Sequence, residues 1–218
     1  MWQNIFRVSA MTGTGIIVLA VLYAMLPYRG KRGERYSLLN HFISELGEVG
    51  VSKAAWAFNI GLILCGLLLL PFIISLGIAF RSILGWLGMA AGIVATLGVA
   101  AVGIFPMSNI DPHIKAAMTY FRAGLVMVFF FGLAIQFQPA GQLVVPKAAN
   151  LLSLLAFLAY GWVLARPGLK RPEKDEISAL DPQQKPERPR VWALPMLEWA
   201  VFFSTIAWLF GIAILLKP

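Results

Sequence analysis

The chain has 218 residues, of which 59% are hydrophobic and 13% charged, and its mean hydropathy is +0.78. A water-soluble domain of this size could not bury so much apolar side chain, so the composition indicates an integral membrane protein. The net charge of +8 does not indicate nucleic-acid binding, because the basic residues lie in connections between apolar blocks and no base-reading motif accompanies them. The single cysteine, Cys65, excludes an intramolecular disulfide.

Six apolar blocks have the length of about 20 residues that a helix needs to cross a hydrocarbon core of about 30 Å. Their apolar runs are continuous rather than alternating, which excludes a β-barrel. The predicted fold class is therefore all-α, an integral membrane bundle of six transmembrane helices in a single domain. The predicted spans are about 8–27, 54–80, 83–105, 113–137, 148–165 and 192–216.

The connections between the spans differ in character. The first, 28–53, begins with a polar run and becomes semi-apolar at 36–47, which predicts a short interfacial or re-entrant helix carrying the motif His-Phe-Ile-Ser-Glu-Leu-Gly. Only Arg81 and Ser82 separate spans two and three, so these spans should form an antiparallel hairpin. The fifth connection, 166–191, mixes prolines with alternating charges and is predicted to be a flexible linker.

The distribution of Lys and Arg predicts the orientation in the membrane. Most of them lie in the connections after spans one, three and five, whereas Arg7, Arg81, Lys147 and Lys217 lie at the opposite face. Cytoplasmic connections carry the excess of positive charge. We therefore predict that the first, third and fifth connections are cytoplasmic and that both termini lie outside.

Because consecutive helices alternate in direction, the polar residues of the chain converge on the membrane face that carries these basic connections. Polar groups in the membrane region are costly and usually turn toward partners or a cavity. Glu45 and His113 are the candidate acid/base or ligand pair, and Ser44 is a candidate nucleophile or hydrogen-bond partner. The full set at this face is His41, Ser44, Glu45, Asn59, Asp111, His113 and Glu198.

A divalent metal is the candidate cofactor. His41 and His113, together with Asp111 or alternatively Glu45, would make a three-ligand site that leaves one position open for water. No tight local signature such as His-Glu-x-x-His is present, and both histidines could instead make interfacial hydrogen bonds or cap helices.

Two further polar residues lie inside spans. Arg122 lies on the opposite side of its helix from His113, and it could pair with Glu198 as a structural ion pair, because both side chains lean toward the same membrane face. The alternative for Glu198 is a proton carrier. Asn59 is expected to make an interhelical hydrogen bond. The candidate ligand-binding residues are Asn59, Asp111, Glu198 and Arg122.

Several short motifs occur in a characteristic order: Ser44-Glu-Leu-Gly47, Phe58-Asn59, Gly103-Ile-Phe-Pro106 and His113. In this the chain resembles the bacterial and archaeal membrane family known as domain of unknown function 998, and more distantly it is similar to the Frag1/DRAM/Sfk1 family of six-span proteins. The resemblance implies a six-helix bundle. The similarity to the Frag1/DRAM/Sfk1 family, which is eukaryotic, implies a role in lipid handling. The long fifth connection departs from the family pattern and could be a docking segment.

The leading functional hypothesis is a polar, metal-binding pocket at one membrane face that binds or acts on a lipid headgroup, with membrane lipids as partners. The alternative is a non-catalytic accessory subunit, whose partner would be another membrane protein. A transporter is a third hypothesis, although no inverted repeat is visible.

Overall fold

The structure is a computed structural model, and it describes residues 2–139, 141, 143–166 and 188–217. Within these residues it is helical and contains no strand, which confirms the all-α prediction. The helices are α1 (Trp2–Met25), α2 (Ala55–Phe80), α3 (Ile83–Ile104), α4 (Ile110–Phe137), α5 (Asn150–Ala165) and α6 (Ala193–Leu215), with short 3-10 helices η1 (Ile43–Gly47) and η2 (Lys147–Ala149).

Six segments in the described part of the chain are long and apolar enough to cross a membrane, one around each long helix. Their outward sides carry large exposed apolar side chains such as Leu19, Leu64 and Leu158, as expected for surfaces that face lipid. The chain is therefore a multi-pass membrane protein. The sidedness of its loops stays a prediction.

The helices form a closed ring in chain order. Each helix packs against the next one, and α6 returns to pack against α1. Glycines bring α3 close to α4: a Cβ added at Gly98 would lie 3.0 Å from the backbone nitrogen of Tyr120, and one at Gly88 would lie 3.0 Å from the ring of Phe131. These contacts support the packing role expected for small residues on α3.

The two-residue turn between α2 and α3 has the expected hairpin chemistry. Arg81 ends α2 in the left-handed region with φ 46°. Ser82 then caps α3, because its hydroxyl accepts a hydrogen bond of 3.1 Å from the backbone N–H of Gly85. The predicted hairpin is present.

The first connection, 26–54, folds back over one end of the ring. We call this end the site face; it is the membrane face at which α1 ends and α2 begins. Helix η1 lies within this loop and contacts α1, α2 and α6. The predicted short helix after the first span is therefore present as a 3-10 helix. Residues 167–187 of the predicted linker lie outside the described residues, but its last residues are described and contact the loop.

Candidate functional site

The polar side chains of α2 and α6 hold the backbone of the loop around η1. The Glu198 carboxylate accepts a hydrogen bond of 2.8 Å from the N–H of Ile43, and the Asn59 amide donates one of 3.0 Å to the carbonyl of Gly47. The indole N–H of Trp199 donates to the carbonyl of His41 at 3.2 Å. Loop backbone groups at a membrane boundary need such partners, because a buried unpaired amide is costly.

The close contact between η1 and α2 explains the glycine of the Ser-Glu-Leu-Gly motif. A Cβ added at Gly47 would lie 2.2 Å from the Asn59 Oδ1 and 2.8 Å from the ring of Phe58. Gly103 of α3 approaches α2 from the other side, since a Cβ there would lie 2.4 Å from the carbonyl oxygen of Asn59. Three of the four ordered motifs therefore meet around Asn59.

Glu45 is enclosed by hydrogen-bond donors. Its two oxygens accept hydrogen bonds of 2.7 Å and 2.9 Å from the Arg188 guanidinium, which forms a bidentate ion pair. The Tyr28 hydroxyl donates at 3.2 Å and the N–H of Phe42 at 3.0 Å. Burial, and then the negative charge of Glu45, raise the pKa of Tyr28, so the phenol stays protonated and donates. This carboxylate anchors the loop.

Arg188 is the site residue that sequence reasoning missed. It lies near the end of the fifth connection, between Pro186 and Pro189, where we predicted a flexible linker. The guanidinium also donates a 2.7 Å hydrogen bond to the carbonyl of Asn40, and the Asn40 amide donates one of 2.9 Å to the carbonyl of Pro189. The N–H of Trp192 donates to the carbonyl of Leu39 at 2.8 Å. The end of this connection is thus fastened to the first loop.

His41 is 2% exposed and lies among aromatic rings, with ring centroids 5.4 Å from Tyr28 and 5.1 Å from Tyr36. Its Nδ1 accepts a hydrogen bond of 3.3 Å from the N–H of Ser37. Its Nε2 lies 3.8 Å from the Glu34 carboxylate and has no hydrogen-bond partner among the residues that the structure describes. Burial lowers the pKa of His41, so the ring is neutral near pH 7.

A partly open central cavity of about 110 Å³ lies below η1, and all six helices contribute to its lining. Most lining residues are apolar. Its polar groups at the site face are Ser44, His113 and Glu198. Deeper in the bundle, hydroxyl groups form a hydrogen-bonded chain between helices: Thr205 donates to Tyr160, and Tyr160 donates to Tyr120, each at 2.9 Å.

His113 joins the cavity to the end of α3. Its Nδ1 lies 2.8 Å from the carbonyl oxygen of Phe105 and donates a hydrogen bond to it. In the neutral ring this leaves Nε2 as an acceptor. Helix α4 begins at Ile110, three residues before the predicted start of this span at His113, so His113 lies in the first turn of the helix.

The family model described as "Protein of unknown function (DUF998)" matches residues 11–215 of the chain. The chain belongs to the DUF998 family. No curated protein and no solved structure matches it. The more distant similarity to the Frag1/DRAM/Sfk1 family stays a prediction.

The ordered motifs of this DUF998 protein divide between two pockets. Ser44, His113 and Glu198 line the central cavity. Glu45 lines a second pocket of about 120 Å³ with Tyr28, Arg188 and charged residues of the first loop. The predicted acid/base pair of Glu45 and His113 is therefore split between the pockets, and their catalytic roles stay predictions.

The predicted metal site is not formed. Among the residues that the structure describes, no group of three or more His, Cys, Asp or Glu side chains could hold a metal ion. His41 lies under aromatic rings, His113 faces the central cavity, and Asp111 is exposed in the first turn of α4. The loop and the start of α4 therefore direct the three predicted ligands to different surroundings.

The predicted ion pair between Arg122 and Glu198 was also wrong. Glu198 accepts a hydrogen bond from the loop backbone, and no ion pair joins it to Arg122 in the described part of the chain. The reason is the ring order, because α5 lies between α4 and α6. Arg122 is exposed on the outward face of α4. The Asn59 side chain does make a structural hydrogen bond, but its partner is the carbonyl of Gly47 in η1 rather than another transmembrane helix.

Proposed function

We propose that this protein binds a single-chain amphiphile, with the chain in the central cavity and an uncharged or cationic headgroup at Ser44, His113 and Glu198. The observation that carries the proposal is the arrangement of one cavity: an apolar lining from all six helices, with polar groups gathered below η1 at the membrane face. Ligand sites combine a mostly apolar lining with a few placed polar groups in this way.

The size of the cavity supports one slim chain. Its volume of about 110 Å³ is close to that of an engineered apolar cavity of roughly 150 Å³ that binds benzene. Such a space admits a segment of one chain and excludes the two-chain body of a phospholipid. The rest of the ligand would extend through the open side of the cavity.

The charges around the cavity support the choice of headgroup. No Lys or Arg is among the described residues that line it, and Glu198 is the one Asp or Glu among them. Phosphate headgroups are recognised by Arg, Lys or clustered N–H donors. The Nε2 of His113, the Ser44 hydroxyl and the Glu198 carboxylate suit a hydroxyl or an amine instead.

Photolabelling tests this proposal. The purified protein is labelled with a long-chain alcohol that carries a photoreactive group along the chain, and with the matching alkyl phosphate. We expect the alcohol to label wild type more strongly than the phosphate, and Ala95→Phe, which fills the cavity, to lose most of this labelling. Val94→Phe is the matched control, because Val94 is the neighbouring residue on the exposed side of the same helix.

The fold of each variant is checked by its elution as a monodisperse species and by its thermal transition, and Ala95→Val provides a smaller step if Ala95→Phe does not fold. Equal labelling of Ala95→Phe and Val94→Phe would contradict the proposal that the alkyl chain of the ligand lies in the central cavity. Stronger labelling by the alkyl phosphate than by the alcohol would contradict the proposal of an uncharged or cationic headgroup.

A second candidate is an accessory subunit of a larger membrane complex. One observation favours it: the side chain of Glu45, which the sequence marked for chemistry, is occupied by four hydrogen bonds that hold the loop. Stoichiometric co-purification of another membrane protein, together with no labelling by either probe, would favour this candidate over the first.

A further inference from the structure

The outward face of α4 carries a line of exposed residues that is polar near the site face and apolar deeper in the membrane. Its members are spaced alternately by four and three residues, so they form one line along the helix, and all are exposed. We call this line the Arg122 stripe, and it consists of Lys115, Thr119, Arg122, Val126 and Phe129. The last two are 42% and 43% exposed.

The depth of Arg122 follows from the packing of α3 against α4. Helix α3 has 22 residues and is about 33 Å long, close to the thickness of the hydrocarbon core, so its centre lies near residues 93 and 94. Gly98 is four to five residues from that centre, or about 7 Å toward the site face. Gly98 packs on Tyr120, and Arg122 lies two residues deeper in α4. Its Cα is therefore about 4 Å from the middle of the membrane.

An exposed cation at this depth is unfavourable in lipid. Arg is among the most unfavourable residues at the centre of a transmembrane helix, and such residues usually have a partner. Within the residues that the structure describes, the Arg122 side chain makes no hydrogen bond and no ion pair. The polar groups of the central cavity cannot be its partners, because Arg122 is exposed on the outward face of α4 and points away from the cavity.

A lipid phosphate fits Lys115 better than Arg122. Lys115 is seven residues nearer the site face, which places it at the edge of the hydrocarbon core, about 14 Å from the middle of the membrane. Arg122 is about two turns deeper, below the level of the headgroups. A second copy of this chain does not fit either, because two α4 helices packed through this face would bring Arg122 against Arg122. The only described acids inside the spans are Asp111, in the first turn of α4, and Glu198, which is bonded to the loop.

We infer that the Arg122 stripe docks a transmembrane helix of another protein, which carries an Asp or Glu near the middle of the membrane. The carboxylate pairs with Arg122, and the apolar part of the partner helix packs on Val126 and Phe129. A line of positions with heptad spacing is the surface that one helix presents to another. This contact would give the accessory-subunit candidate a specific surface, and it does not depend on ligand binding in the cavity.

The experiment uses the full-length protein in phosphatidylcholine vesicles with synthetic single-span helices rich in Leu and Ala. One peptide has Asp two to three residues from its centre, and the controls have Asn or Leu at that position. Association is measured by energy transfer between a dye on the protein and a dye on the peptide. We expect the Asp peptide to associate about tenfold more strongly than the Leu peptide. Arg122→Leu should abolish this preference, whereas Arg166→Leu, which removes an exposed charge at the end of α5, should retain it.

The alternatives are distinguishable outcomes. The inference is overturned if the Asp peptide binds no better than the Leu peptide, or if the preference persists in Arg122→Leu. It is also overturned by a second combination of results: the Asp peptide does not bind, and native mass spectrometry from phosphatidylglycerol vesicles shows anionic lipid that wild type retains and Arg122→Leu loses. The Arg122 stripe would then be a lipid-binding site. The elution and thermal transition of Arg122→Leu establish that it folds, and photolabelling of its cavity should remain at the wild-type level.

Discussion

Replacing Arg188 by Gln should destabilise the protein, although this residue lies in a connection and outside every helix. The wild-type guanidinium makes two charge-assisted hydrogen bonds to Glu45 and one to the carbonyl of Asn40. The Glu45 side chain is 6% exposed, so without Arg188 its charge would be held by the Tyr28 hydroxyl and the N–H of Phe42 alone.

The expected cost follows from these contacts. Breaking a buried ion pair by removing one partner costs about 3–5 kcal/mol, and one hydrogen bond to a charged group contributes about 1.5–3 kcal/mol. The Arg188 side chain is 31% exposed, so water screens part of the interaction and can enter when it is removed. We expect Arg188→Gln to lower the free energy of unfolding by about 2–3 kcal/mol.

The measurement is unfolding in mixed micelles with increasing sodium dodecyl sulfate, followed by tryptophan fluorescence. Arg190→Gln is the matched control, because it removes an exposed charge two residues further along the same connection. In the double variant with Glu45→Gln the buried charge is also gone, so the loss should be smaller than the sum of the two single losses. A cost for Arg188→Gln equal to that of Arg190→Gln would refute the role of the ion pair.

Three further predictions concern the loop. Burial lowers the pKa of His41 in the folded protein, so below the ordinary value of 6.5 the unfolded chain binds a proton at this ring more readily, and stability should fall as the pH drops through 6.5. Unfolding measured between about pH 7.5 and about pH 5.5 should therefore show a smaller loss of stability in His41→Phe than in wild type. Parallel stability curves for the two proteins would contradict this prediction. Gly47→Ala should cost about 1–3 kcal/mol in the same unfolding assay, because its Cβ would lie 2.2 Å from Asn59, and Gly161→Ala, with nothing within 4 Å of an added Cβ, should cost far less. Glu198→Gln keeps an acceptor for the loop amide and should retain stability, whereas Glu198→Leu should lose about 1–3 kcal/mol; equal losses would contradict the hydrogen-bonding role.

The helices were predictable from the sequence because the bilayer requires apolar segments of a fixed length. The convergence of the loop motif, Asn59 and His113 on one membrane face followed from the alternation of helix direction alone. The side of α4 that carries His113 could also be predicted, since helical periodicity places Arg122 on the opposite side. These inferences rest on geometry that every transmembrane helix shares.

Arg188 could not be found in this way because composition describes only an average over a segment. The tract 166–191 reads as a linker from its prolines and charges, and one arginine at its end is not distinguished from the others. Its partner Glu45 lies 143 residues away in the chain. A possible signal was the buried acid itself, because a carboxylate in a semi-apolar motif needs a cation, and the end of the fifth connection returns to the same face.

The prediction of an ion pair between Arg122 and Glu198 was wrong because the direction of two helices does not determine whether they are neighbours in the bundle. Both side chains lie on spans whose starts share one face, which made the pair plausible from depth. The closed ring places α5 between α4 and α6, so the outward side of α4 cannot reach α6. Neighbour relations depend on packing contacts such as Gly98 with Tyr120, and a single sequence does not report them.

The two pockets give the paired residues Ser44 and Glu45 separate roles. In a 3-10 helix successive side chains point about 120° apart, so one turn of η1 can direct Ser44 into the central cavity and Glu45 toward Arg188. Glu45 then fixes the rotation of this turn, and the rotation sets where the Ser44 hydroxyl lies relative to His113 and Glu198. The ion pair with Arg188 thereby holds the polar end of the cavity in place without lining it. The motif that stood out in the sequence joins a structural anchor to a wall of the candidate binding site, and the two functions need adjacent residues because both depend on the same turn.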